Sequence, residues 1–430
     1  MSTVSSALPR VTAQDEDAVA AIVRRGGARL RERLERTERH LGEVTLQAGV
    51  PLAVHAAATV AAGGKRHRTL LVILACEAAG GPGAVLAEAP GALPALGGPL
   101  APDRLAPGPP ARDPLARDPL PAPVPTQAVG APAEAVAAGE VGVAAGERAL
   151  VRAAVAVELV HSATLVHDDV IDGAELRRGH PTVVADAGRG AAIATGDLLF
   201  SRAFAELALN GDLDQLRALS DASSALAAGE LLQREDSYAA CVAVERYLRR
   251  CELKTAALFE AACRLGALVA AGGPHAAAGV VALADAGAST GAAAPASSAV
   301  AALVDGLGTF ARRIGLAFQL LDDVLDVSGP VERTGKMRGA DLLDGTVTLP
   351  LILARERDVE LAAVDLASLR GPEEAAELCD RIAATGALAE ARERALALVA
   401  EAKAGLPKLL PEDRAVLLDL VADAVVERYR

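Results

Sequence analysis

The chain has 430 residues, 52% of them hydrophobic but only 2% aromatic and none tryptophan, so a large core must be built from alanine and aliphatic side chains. A net charge of −13 argues against general nucleic-acid binding. Five cysteines, odd in number and without a C-x-x-C pair, are read most simply as reduced thiols in a cytoplasmic protein, with no disulfide framework and no zinc site expected.

Alanine-rich sequence with few β-branched runs favours helix, which predicts an all-α fold. Met1 to Asp17 shows no basic segment followed by an apolar run, so no secretory signal is expected. The first amphipathic helix is predicted over Asp17–Leu46, with a solvated face at Arg29-Leu30-Arg31-Glu32-Arg33. A second runs from Pro51 to before Gly63-Gly64, and a third, the apolar Thr69–Ala79, should be buried. Residues 80–135 hold 14 of the 24 prolines and a tandem Ala111-Arg-Asp-Pro-Leu115/Ala116-Arg-Asp-Pro-Leu120, a composition expected to form a disordered insertion. A long helix is then predicted from Glu147 to Asp172, followed by helices at Thr195–Ala208, Leu213–Gln233 and Val242–Val269. Residues 272–298, rich in Ala, Gly and Ser, read as a lengthened connector. The most apolar window, Ala276–Val304, contains Asp285 and makes a poor membrane span, so no transmembrane segment is expected. A helix from about Val300 ends near Asp326, and three more follow Leu349-Pro350, the last over Glu412–Arg428. The helical pattern resumes after both low-complexity stretches, which predicts one domain over 1–430 with two decorations.

Two helix ends carry the same acidic pattern, Asp168-Asp169-Val170-Ile171-Asp172 and Asp322-Asp323-Val324-Leu325-Asp326, each preceded by an apolar stretch. Two carboxylates ~4 Å apart repel by about 4 kcal/mol at an effective dielectric near 20. A divalent cation would offset that repulsion. Residues i and i+4 share a helix face, so Asp168 with Asp172, and Asp322 with Asp326, can grip a hard cation together. Mg²⁺ takes only one or two carboxylates plus substrate phosphates, so these faces suit a metal-bridged diphosphate.

Basic segments supply partners for an anion. Gly63-Gly64-Lys65-Arg66-His67-Arg68 is a glycine-softened turn opening a helix, where backbone amides, helix dipole and three cations converge. Arg177-Arg178 follows the first acidic motif and Lys336 the second, while Lys254-Thr255 sits mid-helix among apolar residues, where an unpaired lysine is costly.

The run Glu158-Leu-Val-His161-Ser-Ala-Thr-Leu-Val-His-Asp-Asp-Val-Ile-Asp172 with Arg177-Arg-Gly-His-Pro-Thr182 resembles the first aspartate-rich region of trans-isoprenyl diphosphate synthases. Phe318-Gln-Leu-Leu-Asp-Asp-Val-Leu-Asp326 resembles the second, and Gly63–Arg68, Lys254-Thr255, Gly335-Lys336 and Thr348-Leu-Pro350 match further motifs of that family in order. The resemblance implies an isoprenoid-synthase-type barrel of helices around a deep cavity, with the acidic motifs facing each other across its mouth. It implies three Mg²⁺ ions held by Asp168, Asp169, Asp172, Asp322, Asp323 and Asp326. By similarity, Arg177, Lys254 and Lys336 would contact the allylic diphosphate, and Lys65, Arg68, His161 and Arg178 would hold isopentenyl diphosphate. Thr255 and Gln319 would flank the developing allylic cation. The expected partners are these two diphosphates, a second copy of the chain in a homodimer, and a transient membrane contact at product release.

The expected reaction follows from charge: cations stabilise the departing pyrophosphate, and the double bond of isopentenyl diphosphate, held alongside, attacks the allylic carbon. In this family the proton is thought to leave to pyrophosphate. One position departs from the pattern, since Thr346 stands where Asp341-Leu-Leu-Asp-Gly-Thr-Val-Thr-Leu-Pro350 would carry a lysine. His67, where an apolar residue is usual, is expected to be structural.

Thr164 and Ala163, the small residues four and five before Asp168, occupy the positions that form the pocket floor in many family members. Val160/Leu159 and Ala156/Val155 continue the same face below them, each turn adding about 5.4 Å. No aromatic blocks that stripe, which predicts a product of C20 or longer. Phe200 and Phe204 could close the tunnel from the opposite wall or simply pack in the core. A class I terpene cyclase would lack one acidic motif and the basic turn, and a non-catalytic subunit of a heteromeric synthase would lack acids from a motif. An EF-hand would need a loop with other ligand spacing.

Overall fold

The computed structural model describes residues 13–46, 52–62, 66–82, 138–177, 179–272, 296–329 and 337–427. Apart from their first or last few residues, both low-complexity stretches lie outside these ranges, as do Lys65, Arg178 and Lys336. Helices α1 (Ala13–Leu46), α2 (Ala53–Ala61), α3 (His67–Ala78) and α4 (Ala138–Asp172) form the first half. A two-residue antiparallel ribbon pairs Leu176 with Pro181 and Arg177 with His180. Then come α5 (Val183–Ala208), α6 (Leu213–Asp236), α7 (Val244–Cys251), a π-helical turn over Glu252–Ala256, α8 (Ala257–Ala271) and α9 (Ala296–Ser328). Helices α10 (Leu349–Arg357), α11 (Pro372–Ala384), α12 (Ala387–Gly405) and α13 (Glu412–Glu427) complete the described chain, with single-turn pieces between some of them.

Helices α3, α4, α8 and α9 supply the centre, with α4 packed along α5, and α8 against α3, α6 and α9. The apolar α3 is buried as its sequence requires, Leu70 to Cys76 being at most 2% exposed. Each large aliphatic side chain buried this fully contributes about 1.5–3 kcal/mol. Among the described residues one helical segment, Ala144–Asp172, is long and apolar enough to cross a membrane, but 67% of its apolar window is buried inside the protein. That is the environment of a core helix, and it differs from the window singled out by composition.

Several boundaries move for physical reasons. Helix α4 starts at Ala138 despite Gly139, Gly142 and Gly146, well before Glu147. Helix α5 starts at Val183, because the Thr182 hydroxyl accepts from the Ala185 amide at 3.2 Å and caps it. The expected single helix over Val242–Val269 is divided by the π turn, and from Leu349 onward there are four helices longer than a single turn, the first beginning at Leu349 itself. The face at Arg29–Arg33 is only partly solvated. Arg33 is 2% exposed, donating from Nε to Glu147 at 3.0 Å and from another nitrogen to Glu77, which ties α1 to α3 and α4.

Candidate active site

The site forms where the C-terminal ends of α4 and α9 meet α6 and the π turn. A π turn widens the helix by one residue and leaves side chains out of the α register. Here it is wedged between two glycines. A Cβ on Gly229 of α6 would lie 2.5 Å from the Lys254 amide nitrogen, and one on Gly315 of α9 would lie 2.9 Å from the Ala256 Cα. Those contacts are backbone to backbone, so only glycine lets both helices approach the turn this closely.

Neighbouring residues of the π turn serve different motifs. Lys254 pairs with Glu230 on α6, and its charge acts on Asp168. The Thr255 hydroxyl donates to Gln319 Oε1 at 2.7 Å, and Gln319 Nε2 donates to Asp323 Oδ1 at 2.8 Å. A single turn thus connects the two acidic motifs, one through a lysine and the other through a hydrogen-bonded chain.

Within each motif the three acids are not equivalent. Asp169 is 5% exposed and its Oδ1 accepts from Arg177 at 2.8 Å. Asp323 is 4% exposed, with Oδ2 accepting from the Tyr247 hydroxyl at 2.5 Å and Oδ1 from Gln319. Asp168, Asp172, Asp322 and Asp326 are less buried. The six acids expected at the site thus divide into Asp169 and Asp323, buried against protein partners, and Asp168, Asp172, Asp322 and Asp326, which keep more exposure. The reason is helical geometry: the middle residue of each motif falls off the face shared by i and i+4.

Burial raises the Asp168 carboxyl to about 6, opposed by Lys254 and reinforced by Glu230 and Asp172. Burial also pushes up Asp169 against the pull of Arg177, and Asp323, where the charge of Asp341 adds to it. These groups hold their protons more tightly than ordinary carboxylates, because burial disfavours the charged form. Asp172 Oδ1 accepts from Arg234 of α6 at 2.5 Å, and Arg234 Nε donates to Glu230 Oε1 at 3.1 Å. Asp326 organises the segment that follows it: its carbonyl accepts from the Gly339 amide at 2.9 Å and its Oδ2 from the Asp341 amide at 3.3 Å. Thr346 lies half-buried nearby in sequence, its amide donating to the Asp341 carbonyl at 2.7 Å.

The basic turn contributes differently from its composition. Arg66, at the left-handed φ of 49°, donates to Glu38 at 2.6 Å and also pairs with the buried Glu158. It is held as a structural cation, and of the other cations of the turn Lys65 lies outside the described residues. The Arg68 guanidinium lies 4.9 Å from the Phe259 ring centroid. His67 packs edge-on against Phe318 at 5.9 Å, the structural placement expected of it. His161 sits half-buried on α4, its carbonyl accepting from the Thr164 hydroxyl at 2.8 Å.

Ala163, Val160, Leu159, Ala156 and Val155 are fully buried along α4, and Thr164 is half-buried. Phe200 stacks against His167 with 5.9 Å between ring centroids, and Phe204 packs against the core. Sequence reasoning missed Glu230, Arg234 and Tyr247. The first two form a visible i,i+4 pair, but nothing local marks what they reach.

Among the described residues no three Asp, Glu, His or Cys side chains are grouped closely enough to hold a metal alone. Hard oxygen donors offered in pairs fit Mg²⁺, which completes its shell with water and phosphate oxygens.

A polyprenyl synthetase family model matches residues 132–383. The chain is 39% identical over 211 residues to component 2 of a heptaprenyl diphosphate synthase from Geobacillus stearothermophilus, covering 49% of this chain and 58% of that protein. It is 34% identical over 285 residues to a short chain isoprenyl diphosphate synthase from Methanothermobacter thermautotrophicus, covering 64% of this chain and 78% of the relative. The crystal structure of a polyprenyl synthase from Caulobacter crescentus, complexed with calcium and isoprenyl diphosphate, superposes with a TM-score of 0.68 at 26% identity, covering 98% of this chain and all of that one. The all-α fold is the isoprenoid-synthase fold of these structures.

Proposed function

The chain belongs to the polyprenyl synthetase family, and from that premise we propose that it is a Mg²⁺-dependent prenyltransferase. It condenses an allylic diphosphate with isopentenyl diphosphate to give an all-trans polyprenyl diphosphate of C20 or longer. The observation that carries this reading is the π turn, which joins both acidic motifs through adjacent residues, Lys254 and Thr255.

In this reading Asp168, Asp172, Asp322 and Asp326 hold the cations. When bound, the metal neutralises the diphosphate oxygens and stabilises the departing pyrophosphate. Asp169 and Asp323 support them from behind: Asp169 positions Arg177, and Asp323 orients Gln319. Lys254 places a positive charge beside Asp168, where it can contact the allylic diphosphate, and Lys336 is assigned the same task by resemblance. Thr255 and Gln319 present oxygen dipoles to the carbon that loses pyrophosphate. Lys65, Arg68, His161 and Arg178 hold isopentenyl diphosphate, so that its double bond lies beside that carbon. Burial of the surrounding helices keeps water from capturing the cation. Ala163 and Thr164 set where chain growth ends. In this reading the protein acts in the cytoplasm as a homodimer and touches a membrane at product release.

A second reading has one observation in its favour: the Geobacillus relative is a component of a two-part enzyme. Both acidic motifs are complete here, which favours an independent catalyst. Incubating purified protein with Mg²⁺, isopentenyl diphosphate and C5, C10, C15 or C20 primers, then sizing the products, separates the two. Turnover is expected with at least one primer. No turnover with any of them would refute independent catalysis.

A further inference from the structure

The Arg234 guanidinium is placed where local structure does not require it. Its Nε is satisfied by Glu230 one turn earlier at 3.1 Å, an ordinary pair on one helix. Its Nη2 nonetheless reaches Asp172, 62 residues away in the chain, at 2.5 Å. Asp172 shares its helix face with Asp168, so this nitrogen occupies one of the carboxylates on the face that holds a cation in the function proposed above. Glu230 holds two cations at once, Arg234 on Oε1 and Lys254 on Oε2, and both are directed to the first acidic motif.

We propose that Arg234 is an additional diphosphate-binding residue that doubles as an internal counter-cation. It neutralises Asp172 while no metal is bound and turns to the diphosphate when a metal takes that carboxylate. The Arg234 side chain is 42% exposed, so its head group is free to change partners without disturbing the core. Glu230 keeps it tethered during the exchange, and the planar guanidinium fork matches two phosphate oxygens in a way no lysine does. The inference rests on the proposed prenyltransferase reading, although its first half concerns only the binding of a cation.

The test uses the full chain, with Arg234→Leu and Arg234→Lys, and two titrations by calorimetry: Mg²⁺ alone, then inorganic pyrophosphate at saturating Mg²⁺. Arg234→Leu should bind Mg²⁺ about twofold to fivefold more tightly, the range over which an exposed ion pair competes. The same variant should bind pyrophosphate about tenfold more weakly, the loss expected for one charge-assisted hydrogen bond. Arg234→Lys should fall between it and the wild type in both titrations. Unchanged Mg²⁺ affinity or unchanged pyrophosphate affinity in Arg234→Leu overturns the proposal. A lowered melting temperature with both affinities intact would show a purely structural arginine and overturns it equally. A wild type that turns over and binds both ligands while the variants match it refutes Arg234 alone. A wild type that neither binds nor turns over refutes the prenyltransferase reading itself.

Discussion

Replacing Tyr247 by Phe removes one oxygen from the support of the second acidic motif. The Tyr247 side chain is fully buried and its hydroxyl donates to Asp323 Oδ2 at 2.5 Å, so Phe keeps the ring packing and deletes the hydroxyl, which also meets the Cys251 thiol. A hydrogen bond to a charged group contributes about 1.5–3 kcal/mol, and the carboxylate oxygen left behind is buried without that partner. The cost should depend on pH. Burial already raises the Asp323 carboxyl, and the Tyr247 hydrogen bond lowers it by favouring the charged form. Deleting the bond raises it further, so the penalty is largest where wild-type Asp323 is ionised and shrinks as pH falls. Urea unfolding of both proteins from about pH 5 to about pH 9 should show a difference that grows toward about 2 kcal/mol at the alkaline end. Asp323, no longer held by Tyr247, fixes the Gln319 amide less firmly, so kcat should fall more than KM for either diphosphate rises. A stability difference below about 0.5 kcal/mol, or one independent of pH, would refute the assignment of Asp323 as a hydrogen-bonded support.

Gly229→Ala places a methyl 2.5 Å from the Lys254 amide nitrogen, which neither backbone can accommodate without separating α6 from the π turn. A loss of about 1–3 kcal/mol in urea unfolding is expected, with a fall in kcat, and a neutral result would mean the helices are free to slide. Ala163→Phe should shorten the product by filling the α4 stripe, and unchanged chain length would exclude this face as the pocket floor. Asp168, raised to about 6 in the fold, binds its proton more tightly there than in the unfolded chain. Its contribution to stability is therefore present below the unfolded value near 4 and is lost as pH rises through about 6. Without metal, the melting temperature should drop across that interval. The increase produced by Mg²⁺ should be larger at about pH 7.5 than at about pH 5, and equal increases would show that Asp168 does not titrate there.

Much of the site is legible in the sequence because its signals are local. The i,i+4 spacing of Asp168 with Asp172 and of Asp322 with Asp326 defines a shared face on any helix, and alanine-rich composition determined the all-α class. What failed depended on residues distant in sequence. Arg33 looked like part of a solvated face, yet it is buried because Glu77 and Glu147 come to it from two other helices. Val242–Val269 looked like one helix, since a π turn preserves apolar content and shifts only the register. Only the tertiary structure brought Tyr247 to the buried Asp323 and Arg234 to Asp172. Tyr247 and Asp323 are 76 residues apart, and Arg234 and Asp172 are 62 apart. Helical periodicity assigns a residue to a face, but what stands opposite that face depends on how helices pack, and packing is a property of the whole chain.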